Sequence, residues 1–469
     1  MTGGGGASLL LLVAWHAVLG ELLLVTAIGI ALSSLDDLFI DCVYFARLLW
    51  RRITVYSRHH RATAESLRSD HPAPIAIIVP AWDEAEVIGA MLRNLITRLD
   101  YPRYRVFVGV YPNDPDGIMA VSRIGDHRLH TVVCSGPGPT TKADCLNHLW
   151  AAVVAHEGRV GIRFKAVVLH DAEDVVHPQE LWVYDALIPR LAMVQLPVLP
   201  LPDAGSRWIS GHYLDEFAES HAKDLVVREA LGAAVPSAGV ACAIDRHMLG
   251  RIAAVAGGKP FDATCLTEDY ELGHRIKALG GRGALVRLRS GDDRIIVATH
   301  EHFPDSFATA LRQKSRWLTG IALAGWDRIG WPGGLADCYM LLRDRKALLT
   351  ALLTMLGYAV GLLVLADAAL RAALPVAAAM PPLAGKGLTA LLWINAALLA
   401  WRLLMRAVFT AHAYGPVEGI RSIPRALASN AINAAAAWVA SRRYAAMLRG
   451  APAMGWDKTA HRYPASDSG

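Results

Sequence analysis

Several patterns that mark common classes of protein are missing from this chain of 469 residues. Its six cysteines are scattered singly and form no C-x-x-C pair, so their spacing gives neither a disulfide framework nor a zinc site. The net charge is only +5 and no long block of lysine or arginine occurs, so the charge pattern of nucleic-acid-binding proteins is absent too. We therefore expect reduced thiols in a cytosolic domain and no nucleic-acid partner.

Apolar residues, by contrast, are abundant. They make up 54% of the chain, and its mean hydropathy of +0.31 is too high for an ordinary soluble protein. Residues 8–32 are apolar apart from His16 and Glu21, and this run is long enough to cross a bilayer at about 20 residues per crossing. A secretory signal peptide is the weaker interpretation, because no basic segment precedes the run. Residues 1–34 are therefore assigned as an N-terminal transmembrane helix.

Residues 35–71 are predicted to form an interfacial amphipathic helix followed by a linker, because apolar residues recur there among acids at helical spacing. Arginines cluster in and after this helix, at positions 47, 51, 52, 58 and 61. By the positive-inside rule, this side of the membrane is the cytoplasm.

The C-terminal region, residues 331–469, is predicted to be a second membrane domain. Spanning helices are expected at about 347–373 and 388–411, because both runs are apolar and long enough to cross. The apolar piece at about 426–440 is short and has basic residues on both flanks, so an interfacial or re-entrant helix is expected there. This gives three spanning helices and a cytoplasmic C-terminus.

Between the membrane regions, residues 72–330 alternate apolar runs with amphipathic stretches. This order predicts an α/β domain with a mostly parallel, Rossmann-like sheet and helices on both faces. The predicted strands are 75–79, 105–110, 129–134, 166–169 and 193–199, with further strands near 284–288 and 295–299. The predicted helices are 85–99, 116–124, 140–156, 178–190, 267–279 and 305–324.

Carboxylates follow several of these strands, at the sheet edge where α/β proteins bind ligands. Asp171, Glu173 and Asp174 come directly after the strand 166–169. Glu84 and Asp114 follow the first and second strands. Each acid taken singly is explained by an acidic turn or a helix N-cap. Their recurrence at equivalent points favours a ligand crevice with a hard divalent cation, because Mg²⁺ takes one or two carboxylates and completes its shell with water and phosphate.

The helix predicted at 305–324 carries Gln313, Arg316 and Trp317 at i, i+3 and i+4, so they share one helical face. This face is either an anchor at the membrane interface or a binding surface, where Trp offers a flat side to a sugar ring and Arg a fork to diphosphate oxygens. Lys142 lies at a predicted helix start, where a cation suits phosphate; the alternative is an ordinary exposed lysine.

Five motifs occur in one order: Pro80-Ala-Trp-Asp-Glu84, Lys142-Ala-Asp-Cys-Leu-Asn147, Asp171-Ala-Glu-Asp174, Thr267-Glu-Asp269 and Gln313-x-x-Arg316-Trp317. In this the chain resembles, over about residues 72–330, the processive family-2 glycosyltransferases, which are GT-A-fold enzymes such as cellulose, hyaluronan and poly-N-acetylglucosamine synthases. Finer motifs resemble the branch of bacteriophage adsorption protein B: Tyr111-Pro-Asn-Asp-Pro, His170-Asp-Ala-Glu-Asp-Val-Val-His-Pro and Pro236-Ser-Ala-Gly. Members of that branch often carry a C-terminal cyclic-di-GMP-binding domain, for which we expect no room before Gly469.

The resemblance implies inverting transfer from a nucleotide-sugar, a UDP-sugar, with Mg²⁺ or Mn²⁺ as cofactor. It implies a metal site made by Asp171 with Glu173 or Asp174; Glu173 stands where many relatives have Asp, which leaves the second ligand open. The implied donor-binding residues are Glu84, Asp114, Lys142, Asp171 and Arg316. The implied catalytic residues are Asp269, as general base, and Glu268. The implied acceptor-binding residues are Trp317, Gln313, Ser237 and Gly239.

The implied setting is the bacterial inner membrane, with several spanning helices and a cytoplasmic catalytic domain. The implied partners are the donor, a growing glycan or lipid-linked acceptor, the lipid bilayer and an outer-membrane export partner. Three functions remain open at this point: a synthase of exopolysaccharide, a non-processive transferase acting on a lipid-linked acceptor, and a receptor or scaffold for phage adsorption with a secondary transferase site. The sequence does not show which sugar is transferred.

Overall fold

The computed structural model describes residues 4–291, 295–450 and 462–464, with side chains described from residue 10 onward. The strands in this part of the chain are β1 (Ile75–Pro80), β2 (Tyr104–Val110), β3 (Leu129–Val133), β4 (Ala166–Leu169), β5 (Met193–Gln195), β6 (Val198–Pro200), β7 (Cys242–Asp245), β8 (Gly283–Leu285) and β9 (Thr299–Glu301). The helices of the catalytic region are α2 (Ala85–Arg98), α3 (Pro115–Ser122), α4 (Lys142–Val160), α5 (Glu180–Leu187), α6 (Ile209–Glu219), α7 (Leu225–Ala230), α8 (Arg246–Val255), α9 (Glu268–Ala278), α10 (Phe307–Leu318) and α11 (Gly325–Ile329). The flanking helices are α1 (Gly4–Thr54), α12 (Leu335–Ala373), α13 (Pro375–Ala378), α14 (Lys386–Tyr414) and α15 (Pro416–Leu448).

Seven strands form one sheet in the order β3-β2-β1-β4-β7-β5-β8, and β6 pairs with β9 in a separate two-stranded sheet. Strands β1 to β4 run parallel, as do β5 and β8, whereas β7 is antiparallel to both of its neighbours. The predicted mostly parallel sheet is therefore confirmed. The carboxyl ends of β1 and β4 lie side by side, which brings the acids that follow these two strands to one edge.

The strand β1 shows why both faces of the sheet are covered. All six of its residues are buried, and successive side chains point to opposite faces. Ile75, Ile77 and Val79 pack in a core with residues of α2 and α5. Ala76 and Ile78 pack in a second core with residues of α4, α8 and α9. This continuous burial is typical of parallel sheets with a helical layer on each side.

The predicted strand 193–199 is wrong in one respect, since it forms two strands in two different sheets. Strand β5 ends at Gln195 and β6 begins at Val198. Pro197 between them has no amide hydrogen to donate to a sheet ladder, so the pairing cannot continue through it. The break lets β6 leave the main sheet and pair with β9.

Two helical segments in the described part of the chain are π-helical. Between α6 and α7, residues Ser220–Asp224 form a π-helical turn, and Thr319–Ala324 after α10 form another. The whole stretch from Ile209 to Ala230 was absent from the sequence predictions. It packs against the membrane helices as well as the catalytic domain, so its face pattern matches neither a simple surface helix nor a spanning one.

The N-terminal region forms one continuous helix, α1, in place of the two predicted ones. No proline or glycine interrupts residues 31–50, and the acids there are paired rather than left to break the helix. Asp36 accepts hydrogen bonds from Arg343 and Lys346 of α12. Asp41 accepts one from Lys223 at 2.5 Å. Because these acids pair with other parts of the protein, α1 continues through this region as one helix, and no separate interfacial helix forms.

Helices α1, α12 and α14 are the three described helices that are long and apolar enough to cross a membrane, and they coincide with the predicted spans. Helix α15 extends well beyond the predicted 426–440 at both ends. It packs against α14, α6 and α10, and its buried Arg425 donates to Asp215 of α6 at 2.5 and 3.0 Å. An interfacial position for α15 stays a prediction, but its role in joining the catalytic domain to α14 is plain from these contacts.

Candidate active site

A cavity of about 300 Å³ opens at the carboxyl ends of β1 and β4 and reaches the helices α9 and α10. Most of the residues predicted for the site line it: Glu84, Lys142, Asp171, Glu173, Ser237, Asp269, Gln313, Arg316 and Trp317. Four predicted residues do not line it: Asp114, Asp174, Glu268 and Gly239. Segments far apart in the sequence thus meet in one place, as expected for side chains that follow neighbouring parallel strands.

Lys142 and Asp171 form the charged centre of this cavity. Helix α4 begins at Lys142, and the hydroxyl of its N-cap, Thr141, accepts a hydrogen bond from Asp144 N at 3.2 Å. The Lys142 ammonium lies 2.7 Å from Asp171 Oδ2 and 2.6 Å from Oδ1. Burial opposes its charge, but Asp171, Glu268 and Asp269 outweigh that effect and raise the pKa of Lys142. The side chain is therefore a permanent cation beside the acids.

The structure separates the two candidates for the second metal ligand. Glu173 lines the cavity with Asp171. Asp174 is fully buried and turned away, where it accepts hydrogen bonds from His170 Nδ1 at 2.6 Å and from Asp171 N at 3.2 Å. Burial raises the pKa of Asp174 to about 6. Binding of a metal by Asp174 stays a prediction: its side chain does not line the cavity, and its Oδ1 has no hydrogen-bond partner among the described residues.

His170 is likewise a buried structural residue. Its Nε2 donates to Glu180 Oε1 at 2.8 Å, and its Nδ1 donates to Asp174. Burial opposes the charge of the imidazole, but Glu180 and Asp174 raise its pKa to about 10. Through its hydrogen bonds to Asp174 and Glu180, the charged His170 holds the turn that carries Asp171 and Glu173.

The oxygen atoms of Asp171 and Glu173 fit a hard divalent ion. No group of three or more His, Cys, Asp or Glu side chains in the described ranges is placed to hold a metal by itself. Two carboxylates facing one cavity match the kind of site in which water and substrate phosphate complete the coordination of Mg²⁺ or Mn²⁺. These residues therefore suit a metal that is shared with a phosphate-bearing ligand.

Asp269, the predicted base, lies in the first turn of α9 and faces the cavity. Gly239 leaves the room it needs: its φ is +80°, and a Cβ there would lie 2.7 Å from Asp269 Oδ2. The Gly239 amide donates to Ser237 Oγ at 3.0 Å, which fixes this turn. Neighbouring Glu268 does not line the cavity, and burial together with Asp269 raises its pKa to about 7. Of the two acids, Asp269 is the one presented to a ligand.

Helix α10 brings Gln313, Arg316 and Trp317 to the cavity wall, as their spacing on one face predicted. Two buried atoms here have no hydrogen-bond partner within the described part of the chain, Gln313 Oε1 and Thr267 Oγ1. A buried polar atom without a partner is costly, so both atoms are suited to a bound ligand.

Asp114 acts on the acidic turn rather than on the cavity. It caps α3 by accepting from Gly117 N at 3.0 Å, and its other oxygen accepts from Asp83 N at 2.9 Å. Asp83 has a left-handed φ of +53°, which aims the neighbouring Glu84 into the cavity. Direct binding of the donor by Asp114 stays a prediction.

Several lining residues were missed by the sequence predictions. They are Val198, Phe217, Ser220, His221, Leu225, Glu301 and Phe303. They come from β6, from β9 and the residues directly after it, and from the α6–α7 stretch, none of which supplied a motif to the sequence predictions. The one available signal was the aromatic and histidine spacing of Tyr213, Phe217 and His221, which places them on one helical face.

Comparison with known proteins assigns the chain to a family of sugar-transferring enzymes. The model of "Glycosyltransferase like family 2" matches residues 72–320, more than half of the chain, and the protein belongs to this family. The predicted family and the predicted GT-A fold with helices apolar enough to span a membrane on both sides are thereby confirmed.

The chain is 37% identical, over 96% of its length, to Bacteriophage adsorption protein B of Escherichia coli (strain K12). The same figures hold for Bacteriophage N4 adsorption protein B of Escherichia coli O157:H7. The chain spans 63% of the length of each. The predicted resemblance to this branch is confirmed.

Solved structures resemble the chain more distantly. The mannosyltransferase PcManGT from Pyrobaculum calidifontis is 18% identical, with a TM-score of 0.46, over 85% of this chain and 98% of its own. Glucosyl-3-phosphoglycerate synthase from Mycobacterium tuberculosis is 15% identical, with a TM-score of 0.36, over 59% of this chain and 88% of its own. Neither likeness is close enough to indicate a substrate.

Proposed function

We propose that this protein transfers a sugar from a nucleotide-sugar, a UDP-sugar, to a glycan acceptor at the bacterial inner membrane, with inversion at the anomeric carbon. One observation carries the proposal: a single cavity holds two acids suited to a metal, two cations, a carboxylate base and a tryptophan. They are Asp171 and Glu173, Lys142 and Arg316, Asp269, and Trp317.

Such a transfer makes two chemical demands, stabilisation of a leaving diphosphate and removal of a proton from the attacking hydroxyl. A divalent ion, when bound by Asp171 and Glu173, supplies charge neutralisation at the diphosphate. Lys142 and Arg316 add fixed positive charge to the same cavity, where it acts on charge that develops as the bond to the sugar breaks. Asp269 lies in the same cavity and supplies the base that removes the proton, so one cavity meets both demands.

Asp269 accepts the proton of the acceptor hydroxyl as its oxygen attacks the anomeric carbon. The attack comes from the face opposite the leaving diphosphate, so the configuration inverts. Glu84 holds the nucleotide, and Trp317 offers its ring face to the acceptor sugar. Gly239 keeps the space beside Asp269 open, since any side chain there would collide with the carboxylate.

The membrane setting is supported by the three apolar helices and by their charged contacts with the catalytic domain. Lys223, beside the cavity, pairs with Asp41 of α1, and Arg402 of α14 pairs with Glu219 of α6. These ion pairs are buried or half-buried, and they join the α6–α7 stretch, which lines the cavity, to the membrane helices. Assembly of an exopolysaccharide with an outer-membrane export partner is the finer form of the proposal.

A second candidate is transfer to a lipid-linked acceptor. It is favoured by the apolar wall that Val198, Phe217, Leu225 and Ile321 give to one end of the cavity, and by the small number of spanning helices, few for a wide channel. Product length separates the two, because long polymer from purified protein and one donor requires repeated addition.

A third candidate, a receptor for phage adsorption, comes from the name of the Escherichia coli relatives. It predicts that phage sensitivity depends on the protein being present and not on its chemistry. Strains carrying inactive but folded variants would then remain sensitive, whereas a glycan receptor made by the enzyme would be lost.

The central experiment is a donor screen with the purified full-length protein in detergent, with Mg²⁺ or Mn²⁺. UDP-glucose, UDP-N-acetylglucosamine, UDP-N-acetylmannosamine and GDP-mannose are compared by release of free nucleotide. We expect release from one of the UDP-sugars and none after addition of EDTA. Absence of release from every donor, with the protein folded and the metal present, would contradict the proposal.

A further inference from the structure

One end of the cavity is lined in part by residues of two π-helical turns. Ser220 and His221 of the first turn and Ile321 of the second line this end, which we call the aromatic lobe, together with Phe217, Phe303 and Trp317. π-helical turns are rare and occur frequently at functional sites, because the extra residue displaces side chains from their α-helical direction. Both turns of this chain face the same space.

His221 is held in one protonation state by its neighbours. Its Nδ1 accepts a hydrogen bond from the backbone amide of Val198 at 3.0 Å, so this nitrogen carries no proton. Burial and Arg287 lower the pKa of the imidazole to about 3, so the ring is neutral at pH 7. The remaining proton therefore sits on Nε2.

The Nε2–H group is available to a ligand. It has no hydrogen-bond partner in residues 10–291 and 295–450, and the ring itself lines the cavity. The ring is only 5% exposed and packs on Phe217 with a centroid distance of 5.1 Å. His221 is thus a fixed, neutral donor on a wall of the aromatic lobe.

The same wall contains the tryptophan of the predicted acceptor site. Phe217 lies 6.4 Å from Trp317 and 4.8 Å from Phe303, measured between ring centroids. A sugar offers apolar C–H faces to such rings and hydroxyl or amide oxygens around its edge. A rigid donor beside a set of aromatic faces matches both features.

The charge of the lobe argues for the kind of acceptor. None of the six residues that line the lobe is a lysine or an arginine. Lys142 and Arg316, the latter next to Trp317, line the same cavity, whereas Lys314 and Arg287 lie behind the lobe and are held by Glu216 and by the backbone carbonyl of His221. A phosphate-bearing acceptor would call for cations where its phosphate lies. A neutral donor and aromatic rings instead suit an uncharged glycan.

The first π-helical turn is also fixed to the membrane helices. Lys223, two residues after His221, lies 2.5 Å from Asp41 of α1 and 2.5 Å from Glu219. Asp41 in turn accepts from Trp401 Nε1 of α14 at 2.8 Å. The turn that carries His221 is therefore held by contacts with the membrane helices α1 and α14.

We propose that His221 is a specificity residue for a glycan acceptor: its Nε2–H donates a hydrogen bond to an oxygen of the acceptor chain whose sugar rings pack on Trp317 and Phe217. The proposal rests on the proposed function, which it deepens by assigning a neutral glycan rather than a lipid phosphate to the aromatic lobe.

The test measures oligosaccharide binding to the purified full-length protein by calorimetry, with cellohexaose and chitohexaose as probes and UDP and Mn²⁺ present. We expect one of them to bind and His221→Phe, which keeps a ring and removes the donor, to weaken its binding about tenfold. His221→Gln keeps an N–H donor and should stay within about threefold of the wild type. The dissociation constant for UDP should not change in either variant.

His212→Phe is the matched control, because His212 is a buried neutral histidine of α6 that does not line the cavity. It should bind the probe as the wild type does. Failure of the wild type to bind either probe, equal binding by His221→Phe, or an equal loss in His212→Phe would each overturn the assignment. Failure of the proposed function looks different, since oligosaccharide would bind while no donor releases nucleotide.

Discussion

The two ends of the cavity differ in chemistry and in how the protein holds them. The acidic end is made by turns that follow β1 and β4, and its groups are charged and fixed by buried partners such as His170. The aromatic lobe is made largely by the α6–α7 stretch, and Lys223 and Glu219 of this stretch form ion pairs with α1 and α14. A donor of constant chemistry suits rigid charges, whereas an acceptor that changes with each addition suits neutral contacts that tolerate sliding.

Donor chemistry and acceptor binding therefore reside in different parts of the fold. Charge at the acidic end is set by the sheet, so it would persist if the membrane helices were removed. The shape of the aromatic lobe depends on those helices, because Lys223 of the π-helical turn pairs with Asp41 of α1 and Glu219 of α6 pairs with Arg402 of α14. Substitutions at the two ends should therefore separate donor chemistry from acceptor handling.

The largest effect is expected from Asp269→Asn. The amide keeps the size of the side chain but does not accept a proton, so sugar transfer should fall by at least about a thousandfold. Binding of UDP with Mn²⁺, followed by calorimetry, should stay close to that of the wild type. Near-normal turnover in this variant would remove Asp269 from the role of base.

Asp171→Ala should instead abolish metal-dependent binding of UDP, with a loss of about a hundredfold or more in affinity when Mn²⁺ is present. Glu173→Ala should show a smaller loss of the same kind, because its carboxylate also faces the cavity. Asp174→Asn is the contrasting variant: UDP binding per folded molecule should persist, while thermal stability drops because His170 loses its charged partner. Loss of metal-dependent UDP binding in folded Asp174→Asn protein would show instead that Asp174 contributes to the metal site.

The acidic end was predictable from the sequence because an apolar run followed directly by acids indicates the end of a buried strand. The apolar run 166–169 became β4 with the same bounds, and the acids after β1 and β4 met at the sheet edge. What the sequence did not show was the direction of each side chain. Glu173 and Asp174 are adjacent acids, but the structure places Glu173 on the cavity, whereas Asp174 bonds to the buried His170, which bonds in turn to Glu180.

The aromatic lobe was not predictable to the same degree. Trp317 and Gln313 were found because they lie on one helical face, but His221 and Phe217 come from a stretch with no motif. They lie on or beside a π-helical turn, and this turn contacts a distant part of the chain through Lys223 and Asp41, 182 residues apart, which a local sequence pattern does not reveal. The single helix α1 was missed for the same reason, since partners on α12 and α14 permit acids that look like a helix boundary.

Lys223→Met tests whether the membrane helices set the aromatic lobe. The variant leaves Asp41 and Glu219 without their buried cation, which destabilises the fold by about 3 kcal/mol. We expect a lower unfolding temperature and a several-fold higher KM for the acceptor, with the KM for the donor unchanged. Asp224→Asn, at the same turn, is the milder comparison. An equal rise in both KM values would show that the two ends are not independently held.

The smallest effect is expected from Glu268→Gln, and it concerns pH. Burial and Asp269 raise the pKa of Glu268 to about 7 from an ordinary value near 4.5. Between about pH 4.5 and 7 the folded state therefore holds a proton that the unfolded state has lost. Glu268 lowers the free energy of unfolding progressively as the pH rises through this range, and the full loss is reached above about pH 7. The unfolding temperature of Glu268→Gln, compared with the wild type by calorimetry, should therefore be relatively higher at pH 8 than at pH 5. The same difference at both pH values would mean that Glu268 is already ionised in the folded protein at pH 5, and that Lys142 offsets the effects of burial and Asp269.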